Sequence, residues 1–274
     1  MELPEPEILR RIPTSVANVI QVDNSRLKFR HVMWRDLDFT GSRLRHVLFF
    51  GGSITNCVFD HCDCENWGLW DCDVARSTFK WADLRDSVLG GVGDAREGCF
   101  YVDSDFSGAD LRRTIYNVAH FDRCLFRHAK LSKIDFEGSR FVECIFEGEL
   151  NDVIFNHKGF RSGGFPPNEM VNVDFSHARL RDVGFRGLTL DRVRLPQDSD
   201  HIIVKNPTKT LPRIVDALST EGDSEAKKLI AIINIDLKEA PPNRAQAVIS
   251  VPDVAEVVGE EGVKRLIALI SEHA

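Results

Sequence analysis

The chain has 274 residues, of which 43% are hydrophobic and 28% are charged, a composition typical of a soluble globular protein. The formal net charge is −7, and no part of the sequence is basic enough to favour nucleic-acid binding through counterion release. No apolar run approaches the ~18 residues needed to span a bilayer, and the acidic N-terminus lacks a secretory signal pattern. We therefore expect a cytoplasmic protein that binds neither membrane nor nucleic acid.

Residues 1–23 precede a long repeat array and are predicted to form an N-terminal cap. The pattern allows a short helix over 5–12 and an extended segment over 15–22. A cap is expected because the open end of a stack of strands exposes core side chains and unpaired backbone groups.

From residue 24 to 195 the sequence repeats with a period of five. Stepping by five from Phe29 to Leu89 gives thirteen central positions, twelve of them large and apolar and one a cysteine, Cys64. The frame resumes near Tyr101, steps back by one residue at Leu150 and ends at Leu195. A small or β-branched residue stands two positions before most central residues; examples are Val32, Ser42, Cys57, Ala82, Ala109 and Cys144.

A period of five fits neither a helix, whose faces repeat every 3.6 residues, nor a flat strand, whose faces repeat every 2. It predicts a chain that turns a corner every five residues, so that four sides close a square coil of about 20 residues. Successive coils would then stack as parallel β-ladders about 4.8 Å apart. The large residue of each five would fill the axis, and stacking would bury a continuous core.

The stretches at 81–85 (WADLR), 107–111 (SGADL) and 176–181 (SHARLR) resemble the motif of the pentapeptide-repeat family, Ala-(Asp/Asn)-Leu-x-x. The resemblance covers about 60% of the chain and implies a right-handed quadrilateral β-helix. Three departures, Trp67 at a small position, Cys64 at a centre and the step at Leu150, put the local register in doubt but not the architecture.

Two segments interrupt the period and are predicted to be loops that leave the coil, at about 90–100 and 161–172. The first is rich in glycine, and the second carries Phe165, Pro166 and Pro167. An aromatic residue beside two prolines either folds back onto the coil or forms a tip that contacts a partner.

After Leu195 the period disappears, and we predict a linker over 196–206 followed by a small helical bundle over 207–274. The bundle would cap the solenoid, form a homodimer or bind another molecule. The predicted helices cover 211–218, a segment that is capped by Asp223 or Ser224 and ends near 238, 252–258 with a stop at Gly259, and 261–272. A further helix over roughly 245–249 is possible.

No catalytic or metal site is predicted. Cys57, Cys62, Cys64 and Cys72 lack the tight pair spacing of zinc ligands and fall on inward registers on different sides of the coil. Cys124 and Cys144 would stack on adjacent rungs, but a reducing cytoplasm argues against a disulfide. The acidic residues recur with the repeat instead of converging on a site, so we expect a protein without enzymatic activity or cofactor.

One outward surface is unusually apolar. Phe50 and Trp70 each follow a central residue, one coil apart, and Leu48 and Val88 precede central residues on the same side. Such a patch marks an interaction site, unless another part of the chain covers it.

Two functions remain open. The first is a non-enzymatic scaffold that binds a protein partner. The second follows from the resemblance to the quinolone-resistance branch of the family, whose members are thought to mimic duplex DNA and to bind type II topoisomerases. It implies a modulator or protector of DNA gyrase or topoisomerase IV, acting in quinolone resistance or self-immunity. Residues 27–195 hold 25 acidic and 23 basic residues, and this near balance favours the scaffold.

Overall fold

The computed structural model describes residues 27–93, 98–159 and 167–273. The predicted N-terminal cap at 1–23 lies outside the described residues. Residues 27–195 form a β-solenoid, and a helical domain follows; together they make about eight turns of coil and three helices. Among the described helices, none is long and apolar enough to cross a membrane.

Thirteen short strands build the solenoid, and all pair in parallel with the strands of neighbouring coils. They are β1 (Lys28–Arg35), β2 (Leu48–Thr55), β3 (Gly68–Trp70), β4 (Asp73–Ala75), β5 (Val88–Gly91), β6 (Cys99–Val102), β7 (Ala119–Asp122), β8 (Leu125–Arg127), β9 (Leu131–Phe136), β10 (Arg140–Val142), β11 (Ile145–Asn156), β12 (Val173–Arg186) and β13 (Val193–Arg194). One sheet runs in the order β10-β7-β6-β4-β2-β3-β5 with β1 paired to β2, and another in the order β13-β12-β11-β8 with β9 paired to β11.

The corners of the coil recur every five residues, which is the physical reason for the sequence period. Left-handed backbone with positive φ occurs at successive fifth positions, from His31 and Asp36 through Asn56 and His61 to Asp86. The register between coils is 20 residues, as in the pairing of Phe49 with Leu69. Four corners therefore close one coil, and the predicted square solenoid is confirmed.

Aromatic rings fill the solenoid axis in continuous columns. Within the longest column, neighbouring ring centroids lie 4.7–5.3 Å apart and the ring planes differ by 12° or less. Its seven members are Phe39, Phe59, Phe79, Phe106, Phe126, Phe146 and Phe175. The column stays unbroken across both interruptions of the sequence, so the extra residues do not disturb the core.

The departures from the repeat are accommodated locally. The Trp67 indole is buried and donates its N–H to the Leu44 carbonyl, which satisfies the polar atom of a large side chain at a small position. At Leu150 the register with Leu131 shortens to 19 residues, so the backward step in the sequence is a corner that is one residue shorter. The side chains of Trp67 and Leu150 are both buried in the core.

At the first interruption the flanking strands reach into the predicted range of 90–100. Strand β5 continues to Gly91 and β6 begins at Cys99, so both ends of that range belong to strands. In the second, residues 167–170 have no regular secondary structure, and β12 begins at Val173. Residues 94–97 and 160–166 lie outside the described part of the chain.

The C-terminal domain consists of three helices and a two-stranded antiparallel sheet. The helices are α1 (Pro207–Glu221), α2 (Ser224–Lys238) and α3 (Val251–His273), and the strands are β14 (His201–Lys205) and β15 (Gln246–Ser250). The helix predicted over 245–249 is therefore wrong, because this segment is β15 and pairs with β14. Half of the predicted linker is β14, and α3 joins two predicted helices across a break at Gly259, where φ is 73°.

The C-terminal domain closes the last coil of the solenoid. The Gln246 side-chain amide donates to the carbonyls of Leu190 and Val193 at 2.8 and 2.7 Å. The Ala245 N–H donates to the Thr189 carbonyl at 2.9 Å. Ile203 and Val248 pack against the solenoid core. These contacts are those expected of a cap, and the other two roles, dimerisation and binding of another molecule, stay predictions.

Candidate functional site

Leu48, Phe50, Trp70 and Val88 lie together on one outer side of the solenoid, and we call this surface the aromatic face. All four side chains are half-buried. The Phe50 and Trp70 rings stack with centroids 4.8 Å apart and planes within 10°. The strand register aligns Leu48, Gly68 and Val88 on successive coils. The predicted patch is thus one contiguous surface in the structure.

Two glycines hold the Trp70 indole flat against the sheet. A Cβ atom at Gly68 would lie 2.2 Å from one edge of the indole, and a Cβ at Gly91 would lie 2.1 Å from the other. Real Cβ atoms do not approach so closely, so any side chain at either position would push the ring away. The ring therefore lies against the backbone on the outer side of the solenoid, where it is partly exposed.

A cation lies at the end of the aromatic stack. The Arg30 guanidinium carbon is 5.1 Å from the centroid of the Phe50 ring, which is within the range of a cation–π interaction. Arg30, Phe50 and Trp70 occupy equivalent positions on three successive coils. The order along the solenoid is therefore a guanidinium, a benzyl ring and an indole.

Sequence reasoning missed three exposed apolar residues near this surface. Ile115 is 50% exposed and pairs with Val88 on the next coil, so it extends the aromatic face. Phe100 is 37% exposed, and its ring stacks on His120 with centroids 4.6 Å apart. Met33 is 81% exposed. Ile115 and Phe100 each precede a central residue, as Leu48 and Val88 do, so the same positional rule would have found both.

Burial and the nearby Arg140 guanidinium lower the pKa of His120. The imidazole beside Phe100 is therefore neutral at physiological pH, and it presents a largely apolar surface. This adds aromatic area to the neighbouring side of the solenoid.

The other predicted contact residues lie on the second interruption. Phe165 and Pro166 fall outside the described residues, so their prediction stays untested. Pro167 is half-buried, and the adjacent Asn168 is fully buried. The Asn168 N–H donates to the His157 carbonyl at 2.8 Å. This end of the interruption therefore packs back onto the coil.

Outward carboxylates are paired with arginine side chains along much of the solenoid. The pairs are Arg45 with Asp63 and Glu65, Arg85 with Asp83, Arg112 with Asp110, Arg113 with Asp86, Arg123 with Asp103, and Arg127 with Glu147. Hydrogen bonds from Arg113 and Arg123 lower the pKa values of Asp86 and Asp103. Each of these carboxylates has an arginine charge beside it, and this local pairing weakens any long-range negative field.

The cysteines and one carboxylate cluster are the groups of the described residues that most resemble ligands of a reactive site or a metal. The seven cysteines are buried and free, and burial raises the pKa of the Cys57 thiol to about 11. A thiol with a raised pKa is a poor nucleophile and metal ligand. Asp63, Glu65 and Asp83 approach one another as metal ligands would, but Arg45 and Arg85 already bind this cluster.

Comparison with known proteins identifies the repeats. The family model described as pentapeptide repeats matches residues 104–148 in eight copies. A search of curated proteins gives no match.

Among solved structures, QnrB1, titled a plasmid-mediated fluoroquinolone resistance protein, is 19% identical. That match covers 60% of this chain and 85% of QnrB1 with a TM-score of 0.28. HetL, titled a pentapeptide repeat protein involved in heterocyst differentiation regulation from the cyanobacterium Nostoc sp. strain PCC 7120, is 16% identical. The match with HetL covers 72% of this chain and 93% of HetL, with a TM-score of 0.24. Identities and scores this low carry no information on function.

Proposed function

We propose that this chain, a pentapeptide-repeat protein, is a non-enzymatic scaffold that binds a protein partner through the aromatic face. The observation that carries the proposal is the stack of Phe50 on Trp70, which Gly68 and Gly91 hold on the outer surface. A ring that is already immobilised loses little conformational entropy when a partner covers it.

The composition of the aromatic face suits a binding hot spot. Tryptophan and arginine are enriched among residues that dominate protein interfaces, and they act best when surrounding apolar groups exclude water. Here Trp70 and Arg30 lie at the two ends of the stack, and Leu48, Val88 and Ile115 border it. The partner's complementary surface would carry an apolar pocket or protruding aliphatic side chains.

The alternative, a DNA-mimicking modulator of DNA gyrase or topoisomerase IV, requires rows of carboxylates at phosphate-like spacing. The ion pairs of Arg85, Arg112 and Arg123 neutralise acids on several successive coils, and this disfavours mimicry. A gyrase supercoiling assay with and without a quinolone tests the alternative directly. We expect no effect of the protein at micromolar concentration, and a shift of the quinolone response would revive the alternative.

The scaffold proposal is tested by matched tryptophan variants. Trp70→Ser removes the indole from the aromatic face, and Trp81→Ser removes an equally large ring that is 59% exposed at a corner elsewhere. Each variant and the native chain are immobilised and incubated with native cytoplasmic extract, and retained proteins are quantified by mass spectrometry. We expect at least one protein to be retained by the native chain and by Trp81→Ser but reduced about tenfold with Trp70→Ser, a loss of about 1.4 kcal/mol.

Circular dichroism melting of both variants verifies that each is folded before the comparison. A partner that binds the native chain and Trp70→Ser equally would show that the aromatic face is not the binding surface. Equal losses with both tryptophan variants would point to a general effect of surface aromatic residues and would also contradict the proposal.

A further inference from the structure

A groove of about 680 Å³ lies between the outer surface of the last coils and the C-terminal domain. The solenoid side is formed by Ile154 on β11 and by Asp182–Arg186 on β12. The opposite side is formed by α2 and α3. Pockets of this size at the junction of two structural units are common binding sites.

The two helices contribute an aliphatic lining. Ile232 and Ile235 stand three residues apart on α2, and Val254 and Val257 stand three residues apart on α3. Residues with this spacing lie on the same helix face and form a ridge. Ile235 is 73% exposed and Val257 is 45% exposed. Two adjacent ridges with exposed tips provide the surface against which a further helix packs.

One position on the solenoid side of the groove, Gly184, carries no side chain. Gly184 lies opposite Ile154 in the strand register. A Cβ at Gly184 would come no closer than 3.9 Å to the nearest side-chain atom, which belongs to Ile154. The backbone there is not in the left-handed region. A side chain at this position would therefore extend into the groove without a clash.

The rim of the groove is predominantly acidic. Five carboxylate residues line it against two basic ones, Arg186 and Lys238. Two of the five carboxylates are already paired with arginine, Asp236 with Arg244 at 3.0 Å and Asp253 with Arg181 at 2.5 Å. Asp152, Asp182 and Glu239 form no ion pair among the described residues, and they are the acids that would meet a ligand. The segment 196–274 carries 13 acidic and 9 basic residues. A ligand that complements this rim carries positive charge.

We propose that this groove binds a basic amphipathic helix of a partner protein. Aliphatic residues on one helix face would enter between Gly184 and the ridges of α2 and α3, and flanking Lys or Arg side chains would meet the acidic rim. In helix-in-groove recognition the bound helix presents anchors at i, i+3, i+4 and i+7, and here they would pack between the Ile232–Ile235 and Val254–Val257 ridges. This inference goes beyond the proposed function, because it concerns a second surface at the other end of the solenoid.

The test uses two synthetic peptides of about 18 residues, ~27 Å of helix, with leucines on one face and either lysines or glutamates elsewhere. Fluorescence anisotropy measures their binding to the full chain. We expect the lysine peptide to bind with micromolar affinity and the glutamate peptide to bind at least about tenfold more weakly. Raising the salt concentration should weaken binding of the lysine peptide, because charge attraction is screened.

Variants then locate the site. Gly184→Leu fills the groove and should weaken binding of the lysine peptide at least about tenfold. Val257→Lys should do the same, and Ile267→Lys is its matched control. Ile267 lies on the same helix, is 43% exposed, and does not line the groove. Phe50→Ser and Trp70→Ser should leave peptide binding unchanged, which separates this inference from the proposed function.

Several outcomes would overturn the inference. These are no binding at ~100 µM lysine peptide, equal affinity for the two peptides, or equal effects of Val257→Lys and Ile267→Lys. Light scattering supplies one more outcome: a dimer of the native chain that Gly184→Leu abolishes would make a second copy the occupant and would contradict a basic helix.

Discussion

The corners of this solenoid explain the polar residues that recur beside its apolar period. A left-handed backbone suits Asn, Asp and Gly, and it is strained for most other side chains. Trp81 nevertheless adopts φ of 59° and His31 adopts φ of 50°. In both cases the ring lies against a glycine of a neighbouring coil. A Cβ atom at Gly108 would be only 2.2 Å from the Trp81 ring, and one at Gly51 would be 2.7 Å from the His31 ring. The ring at the corner can therefore lie where it does only because the facing residue is glycine.

The first prediction concerns the aromatic column. Phe126 is fully buried between Phe106 and Phe146, with centroid distances of 5.3 and 4.7 Å. Phe126→Ala removes the ring and leaves a cavity that the flanking coils cannot close, so we expect a loss of about 3–5 kcal/mol in the free energy of unfolding. Urea denaturation followed by circular dichroism measures it. Phe100→Ala, at a 37% exposed ring, is the control and should cost clearly less; equal losses would contradict a shared dry axis.

At the scale of elements, the repeat was predictable because each residue type is dictated by a local rule. Every central residue from Phe29 to Leu89 is buried, as the period predicted. Strands β14 and β15 were not predictable in this way. They pair with each other across 41 to 49 positions of sequence, and short apolar segments do not distinguish strand from helix. Pairing with His201–Lys205, a contact that sequence periodicity does not encode, decides the conformation of Gln246–Ser250.

The candidate site was predictable in part for the same reason. The positions flanking each central residue face outward, so Leu48, Phe50, Trp70 and Val88 could be grouped from the period alone. The role of Gly68 and Gly91 could not, because it depends on which way the Trp70 indole leans across neighbouring coils. The groove beside Gly184 likewise depends on how the C-terminal domain docks on β12, which no local pattern contains.

The second prediction concerns the start of α2. Asp223 is the N-cap, accepts a hydrogen bond from the Ala226 N–H at 2.7 Å, and is bound by Arg265. The hydrogen bond from Arg265 and, to a lesser extent, that from the Ala226 N–H lower the pKa of Asp223 from 3.8 to about 2. The folded state therefore binds a proton less readily than the unfolded chain, and the stabilisation is present above about pH 4 and is lost as the pH falls towards 2.

Asp223→Asn removes this linkage, so the variant should show a smaller fall in melting temperature between about pH 4 and pH 2 than the native chain. Melting curves by circular dichroism at 222 nm across this range measure the effect. Asp216→Asn, an exposed acid on α1, is the control and should retain the native pH profile. A native profile in Asp223→Asn as well would exclude the cap and its arginine as a source of acid sensitivity.

At the scale of the whole molecule, the solenoid has an intrinsic liability at its ends. Each inner coil pairs its backbone groups with adjacent coils and buries its rings against them. A last coil without a cap would expose apolar rings and unpaired backbone groups to a second molecule. The C-terminal domain removes this liability at one end through Gln246 and Ala245. The aromatic face and the groove beside Gly184 lie towards opposite ends of the solenoid, so a partner could bind either without disturbing this closure.

The third prediction follows from the closure. Removing residues 207–274 deletes β15 and with it the hydrogen bonds from Gln246 to Leu190 and Val193. The exposed coil should then associate end to end, because parallel edges and an open apolar axis are templates for pairing. Multi-angle light scattering should find larger and concentration-dependent masses for the truncated chain than for the full chain. A truncated chain that stays monomeric would mean that the last coil needs no cap, and a full-length dimer that truncation converts to a monomer would assign the domain to dimerisation instead.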